Sequence, residues 1–262
     1  MELQAGICKR MNWEERTLLL LGSQRHSALK GASVLVVGLG GVGAYAAEML
    51  VRAGIGHLTI VDGDVVEPTN RNRQLPAMVS TQGKPKTEIL SARFMDINPG
   101  LQLTAINEFL RDERTVGLLE SRHFDYVVDC IDTLSPKVFL IYHAFQRGLP
   151  VVTSMGAGGK MDPSQVRIAD ISKSHDCKLA RMVRKRLHKL GIRKGIRAVF
   201  SPEEVPEEAI RLEQSRNKNS TVGTISYMPA VFGCFVASVV IRDLAGPTAV
   251  GEETPSAGEF PD

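Results

Sequence analysis

The sequence predicts an α/β protein with a Rossmann-like open sheet, mostly parallel, with helices on both faces. Three observations predict it. Short β-branched runs alternate with stretches of helical periodicity. The first runs are apolar along nearly their full length, as parallel strands covered on both sides must be. The first run also passes directly into a glycine-rich turn and an alanine-rich helix.

Taken in order, the strands are expected at Val34–Gly38, Leu58–Asp62, Leu101–Ile106, Tyr126–Ile131, Val151–Ser154 and Val166–Ile171. The helices are expected at Val42–Ala53, Pro85–Ile97, Ser135–Arg147, Cys177–Leu190 and Pro229–Leu244. Asn98-Pro99-Gly100 and Gly148-Leu149-Pro150 punctuate them as turns. No internal repeat is visible. The stretch from Gly246 to Asp262 is rich in Gly, Pro and Glu without periodicity and reads as disordered, which leaves a single domain over residues 11–245.

Composition narrows the function classes. With 43% hydrophobic and 23% charged residues, the 262-residue chain has the make-up of an ordered globular protein. No apolar run approaches the roughly 20 residues of a membrane span, and no signal-peptide core follows the N-terminus. A cytoplasmic enzyme with no membrane contact is the expectation. The four cysteines, Cys8, Cys130, Cys177 and Cys234, form no CxxC pair, so neither a zinc knuckle nor a disulfide framework is indicated.

The first chemical signal is the turn Gly38-Leu39-Gly40-Gly41-Val42-Gly43 between strand and helix. Glycines let a backbone approach a polyphosphate, and a helix N-terminus offers N–H groups and a positive dipole end. Asp62 closes the second strand about 20 residues after the glycines, where a ribose diol would be bound. NAD and ATP fit these two features equally. Arg73, within Asn70-Arg71-Asn72-Arg73-Gln74, could mark the ribose phosphate of NADP, but a second cation, Lys86 at the next helix start, suits a triphosphate better. A solvated basic loop is the plainer reading of the same residues. Asp132, past the fourth strand, falls at the carboxyl edge of the sheet, and a carboxylate facing phosphates requires a cation, here Mg²⁺. Asp129, three residues earlier, points to the other face and reads as structural.

This ordered set (GLGGVG, IVDGD, NRNRQ, KPK, VVDCIDT) resembles the ThiF/MoeB superfamily, the adenylating fold shared with ubiquitin-activating enzymes. The resemblance implies ATP and Mg²⁺. Gly38, Gly40, Gly41, Gly43, Asp62, Asp64, Asn70, Arg73, Gln74 and Lys86 would then bind the nucleotide, with Asp132 on the metal and Arg73, Lys86 and Asp132 carrying the chemistry. Arg16 matches the arginine that family members lend to a neighbouring subunit's ATP, so the resemblance also implies a homodimer. A narrower resemblance, spanning about Asn12 to Leu244, is to the tRNA threonylcarbamoyladenosine dehydratases. It rests on Ile97-Asn98-Pro99, Leu134-Ser135-Pro136-Lys137, Met155 to Pro163 and Gly223 to Gly233.

Superfamily members that serve ubiquitin-like carriers usually hold a structural zinc on CxxC pairs, which this chain lacks. From Lys178 it reads KLARMVRKRLHKLGIRKGIR, a cationic run suited to a phosphate backbone through Lys178, Arg181, Arg184, Lys185, Arg186, Lys189, Arg193, Lys194 and Arg197. The plainer alternative is a solvated helix with Leu179, Met182, Val183, Leu187 and Leu190 packed inward. Cys177, beside His175 and Asp176, is a candidate thiol nucleophile, although a lone cysteine is more often inert. Cys234 reads as helix core and Cys130 as strand interior.

The expected reaction is ATP-dependent cyclisation of threonylcarbamoyladenosine in tRNA through an acyl-adenylate. Three rivals stand beside it: adenylation of a ubiquitin-like or sulfur-carrier protein, an NAD(P)-dependent oxidoreductase, and a nucleotide-sensing tRNA-binding module. A sulfur-relay protein partner is left unidentified by the residues.

Overall fold

The structure is a computed structural model and describes residues 13–212 and 220–246. The expected disordered tail therefore lies, beyond Gly246, outside the described residues.

A seven-stranded sheet runs in the order β3-β2-β1-β4-β5-β7-β6. The strands are β1 (Ser33–Val37), β2 (His57–Val61), β3 (Gln102–Ile106), β4 (Tyr126–Asp129), β5 (Val151–Ser154), β6 (Arg167–Asp170) and β7 (Arg197–Phe200). All pairings are parallel except β6 with β7. Sequence order reverses between β1 and β4, the switch point at which open α/β sheets leave a crevice at the carboxyl ends of their strands.

Alternation along each strand feeds two cores. Val34, Val36, Ile60 and Val128 face one side, packing with α1 (Glu15–Gly31), α2 (Gly43–Arg52), α3 (Lys86–Ile97) and α7 (Tyr227–Ala245). Leu35, Val37, Val61 and Val127 face the other, against α4 (Asp112–Ser121), α5 (Leu134–Gln146) and α6 (Lys178–Lys189). Fully burying each such aliphatic side chain is worth about 1.5–3 kcal/mol. β1, between β2 and β4, is buried at four of its five positions.

Several elements differ from the sequence reading. The pattern does not announce β7, because Arg197–Phe200 directly follows a charged run and contributes only four residues. It separates β5 from β6 and makes the last strand antiparallel. The helices α1 and α4 are likewise additions. The first is broken at Gly22 (φ +76°) and leaves Leu19 and Leu20 exposed, which blurs its amphipathic signal. A two-stranded antiparallel hairpin, β8 (Ile210–Leu212) with β9 (Ser220–Val222), precedes α7. The expectation that no apolar run approaches span length needs correction. Tyr227–Ala245 has 19 residues and a mean hydropathy of 1.6 over its most apolar window, enough in length and composition to cross a membrane. Here Phe232, Val236, Val239 and Val240 are fully buried in the first core, where a helix apolar on most sides belongs.

Candidate functional site

The glycine turn is held tightly from below. Gly38 has φ +90°, and a Cβ there would lie 2.7 Å from the Cys130 carbonyl oxygen; a Cβ on Gly43 would fall 1.7 Å from the Gly38 oxygen. Neither position admits a side chain. Space is open at Gly40, where a Cβ would meet nothing nearer than the Gln74 amide nitrogen at 3.9 Å, whereas Gly41 is covered by α7, a Cβ there lying 2.8 Å from Pro229 Cβ. Asp62, just past β2, fixes the turn from the side. Its Oδ2 accepts from the Leu39 N–H at 2.6 Å and its Oδ1 from the Asp64 N–H at 2.7 Å. Burial raises the Asp62 pKa, against the opposing pull of the Lys86 ammonium.

The next residues converge on the same edge. A 3-10 turn, Pro68–Asn70, is closed by Asn70, whose side-chain oxygen accepts from the Glu67 N–H at 3.1 Å. Arg73 is half-buried and donates through Nη1 to the Thr69 carbonyl at 2.9 Å and to Asn72 Oδ1 at 2.8 Å. Burial lowers its pKa while the carboxylate of Asp132 opposes the shift, so these two groups lie within electrostatic reach across the crevice. The Oε1 of Gln74 is buried without a hydrogen-bond partner. Lys86 opens α3, is almost fully buried, and donates to Asp64 Oδ2 at 2.8 Å. The ammonium read as a phosphate ligand is thus already oriented by a carboxylate whose own side chain is half exposed.

β4 ends at Asp129 rather than Ile131, so Asp132 stands exposed on the loop before α5 and not on a strand end. Cys130 likewise sits one residue past the strand, under the glycine turn, and burial pushes its thiol up to about 12. It is no nucleophile at neutral pH. Cys234, expected in the core, is exposed instead, because it falls on the outer face of α7.

The cationic run is divided by the structure. Ala180, Val183 and Leu187 form the inward stripe of α6; Met182 (48%) and Leu190 (45%), expected inside, are exposed. Lys178, Arg181, Lys185, Arg186, Lys189, Arg193 and Lys194 are exposed. Arg184 is half-buried and bonded to Ser174, and Arg197, exposed like the others, pairs with Asp243 at 2.9 Å. Arg186 donates to Ser135 Oγ at 2.7 Å, which joins the basic helix to the first turn of α5, beside the Asp132 loop. Cys177 precedes α6 at its N-terminus, and Arg16 is exposed in the first turn of α1.

Two buried lysines lie outside what the sequence pattern signals. Lys137 pairs with Asp129 beneath the Asp132 loop, and Lys160 lies on the loop after β5. Both lie in stretches that carry the narrower resemblance, Leu134 to Lys137 and Met155 to Pro163, but nothing in the sequence gives either lysine a role.

Fold and site together define a doubly wound α/β protein with a glycine-turn crevice at its switch point and a cationic flank. The chain belongs to the ThiF family, whose model matches residues 14–260. It is 39% identical to the tRNA threonylcarbamoyladenosine dehydratase of Bacillus subtilis over 87% of this chain and 93% of that one. It is 40% identical to the Haemophilus influenzae protein of the same name over 82% and 87%. Among solved structures it is similar to the Escherichia coli tRNA N6-threonylcarbamoyladenosine dehydratase TcdA in complex with ATP. That match has a TM-score of 0.80 and 33% identity, covering 88% of this chain and 94% of the other.

Proposed function

We propose that this chain is an ATP-dependent tRNA threonylcarbamoyladenosine dehydratase, acting as one adenylation domain over residues 11–245. The observation that carries the reading is the crevice at the β1/β4 switch point. A glycine turn open at Gly40, an unsatisfied Gln74 oxygen, Asp62, Arg73, Lys86 and Asp132 meet there, and relatives at about 40% identity over nearly their whole length carry that name.

ATP fits these residues. The N-terminus of α2 and the turn suit its phosphates, Asp62 suits the ribose, and Gln74 Oε1 is an acceptor awaiting a donor N–H or O–H. Mg²⁺ fits as well. Among the described residues no cluster of three or more metal-binding side chains exists, and this ion characteristically binds one or two carboxylates plus substrate phosphates, so Asp132 would hold it. Bound there, the ion would supply charge neutralisation at the phosphates.

The chemistry asked of the chain is modest. A carboxylate oxygen of the threonyl group bonds to the α-phosphorus as pyrophosphate leaves, with Arg73 and Lys86 offsetting the charge that develops. The carbamoyl group of the same nucleoside then attacks the activated carbonyl carbon; AMP leaves and one carbamoyl N–H proton is lost. Proximity drives that step, so no enzyme nucleophile is needed. The exposed cations of α6 and Arg193–Lys194 would hold the tRNA backbone. Arg16 would serve the nucleotide of a second subunit in a homodimer, and the cytoplasm is the expected compartment.

Mass spectrometry of tRNA nucleosides after incubation with ATP and Mg²⁺ tests the reading. Cyclic threonylcarbamoyladenosine and AMP are the expected products; unchanged nucleoside, under conditions in which a known dehydratase converts it, would falsify it.

A further inference from the structure

Lys160 poses a chemical problem that the nucleotide site does not absorb. The residue is 2% exposed, and its ammonium has no hydrogen-bond partner. The surrounding backbone, by contrast, is pinned. Gly159 N–H donates to the Gly223 carbonyl at 2.7 Å, and the Tyr227 hydroxyl donates to the Met161 carbonyl at 2.7 Å. The carboxylate with most electrostatic reach to the ammonium, Glu203, makes its hydrogen bonds elsewhere. Glu203 accepts from the Met161 N–H at 2.8 and 3.0 Å and from the Asp162 N–H at 2.9 Å.

An unpaired buried ammonium is among the more costly groups a fold can carry, and a methionine would fill the same space without that penalty. Its retention calls for an anion that arrives later. Position suggests which. The loop leaves the carboxyl end of β5, next in the sheet to β4, whose following loop carries Asp132. On the other side, the groups within electrostatic reach of Lys160 include Cys177 and Asp176, at the start of basic α6, beside Glu203 and Glu204. Lys160 is thereby linked both to the carboxyl edge of the sheet and to the start of α6, a place that a nucleoside delivered by tRNA on that face would reach.

We propose that Lys160 is the anion-binding residue of the acceptor subsite, receiving the threonyl carboxylate of the modified nucleoside and turning one of its oxygens toward the α-phosphate. The inference rests on the function proposed above. The four-carbon stem lets the ammonium swing toward the carboxylate without movement of the pinned backbone. Once adenylated, the same carbonyl group stays beside a cation while the ring closes.

Lys160→Met and Lys160→Gln, compared with the full-length wild type, test this through thermal melting, ATP binding, and kinetics with threonylcarbamoyladenosine-bearing tRNA. Lys160→Met is expected to melt at or above the wild-type temperature and to bind ATP within about twofold of wild type, since the nucleotide crevice keeps its own residues. Its kcat/KM for the tRNA should fall about 10- to 100-fold, the loss expected for one hydrogen bond to a charged group. Lys160→Gln, which still donates a hydrogen bond, should recover part of that loss. Wild-type kcat/KM in Lys160→Met overturns the assignment, as does a fall in melting temperature that accounts for the lost activity in both variants. Wild-type protein that leaves the nucleoside unchanged overturns the proposed function itself.

Discussion

Asp129 and Lys137 are paired at 2.8 Å with both side chains fully buried. The pair is the hub of a network under the Asp132 loop. Asp129 accepts from Thr153 Oγ1 at 2.5 Å and from the Ile131 N–H at 3.1 Å, while Lys137 also donates to the Ile131 carbonyl at 2.9 Å. β4, β5 and α5 are thereby tied to the short loop that presents Asp132 to the crevice. Removing one partner leaves the other charge buried and unpaired. Lys137→Met should cost about 3–5 kcal/mol in urea denaturation, and Asp129→Asn with Lys137→Met should restore much of it. A double-variant loss equal to the sum of the two single-variant losses would show that the two side chains do not act as a pair.

Lys86 and Asp64 form a second pair at 2.8 Å, at the mouth of the crevice and not under it. The lysine is buried and the aspartate half exposed, so the carboxylate aims an ammonium that would otherwise be poorly placed. Lys86→Ala should lower ATP-dependent turnover about 100-fold or more, by removal of preorganised charge at the transferring phosphate. Asp64→Asn should lower it less, because the cation stays and only its aim loosens. Full turnover in Lys86→Ala would remove this lysine from the phosphate site.

The sequence discloses the strands whose residues are apolar on both faces and the motifs whose glycines have no alternative. Gly38 and Gly43 cannot carry a Cβ, so the turn they build is legible one residue at a time. It does not disclose β7, a four-residue strand recognised only by its place between β5 and β6. Nor does it separate Arg184 and Arg197 from their neighbours in the cationic run. What sets them apart is Ser174 and Asp243, distant in sequence or hidden behind a helix start. Lys137 and Lys160 are illegible for a related reason. A lysine reads as solvated until burial is seen, and burial belongs to the tertiary structure.

With Asp62 as the proposed ribose ligand, ATP affinity should depend on pH in a determinate direction. Burial raises the folded pKa of Asp62 above that of an ordinary carboxylate, and the ionised form accepts hydroxyl hydrogen bonds best. Its acid limb should therefore lie above the usual value of about 3.9, with ATP affinity lost as pH falls through the raised pKa. Its effect on stability has the opposite sign. The folded state holds the proton more tightly, so this residue's stabilising contribution is fully present below the unfolded pKa and is lost as pH rises through the folded one. Calorimetric titrations with ATP across mildly acidic pH should show the binding limb in the wild type and not in Asp62→Asn. A limb shared by both would belong to another group, such as the nucleotide's own phosphate.

The division of the basic run makes the proposed tRNA interface separable from the fold. Arg181 and Lys185 are exposed on α6 and stand outside its packing stripe, whereas Arg184 is bonded to Ser174 and Arg197 to Asp243. Reversing Arg181 and Lys185 to glutamate should weaken tRNA binding at low salt. The slope of log affinity against log salt should shrink by about 1 for each phosphate no longer neutralised, with the melting temperature unchanged. Reversing Arg197 should do the converse, since Asp243 would face a second carboxylate: stability falls while the salt slope holds. Arg186 should affect both binding and turnover, because its bond to Ser135 reaches the helix that follows the Asp132 loop. Filter binding at several salt concentrations, run beside thermal melts of each variant, distinguishes the three behaviours. A salt slope that does not change in the Arg181 and Lys185 reversal would take the nucleic acid off this face and leave α6 with only the packing role of Ala180, Val183 and Leu187.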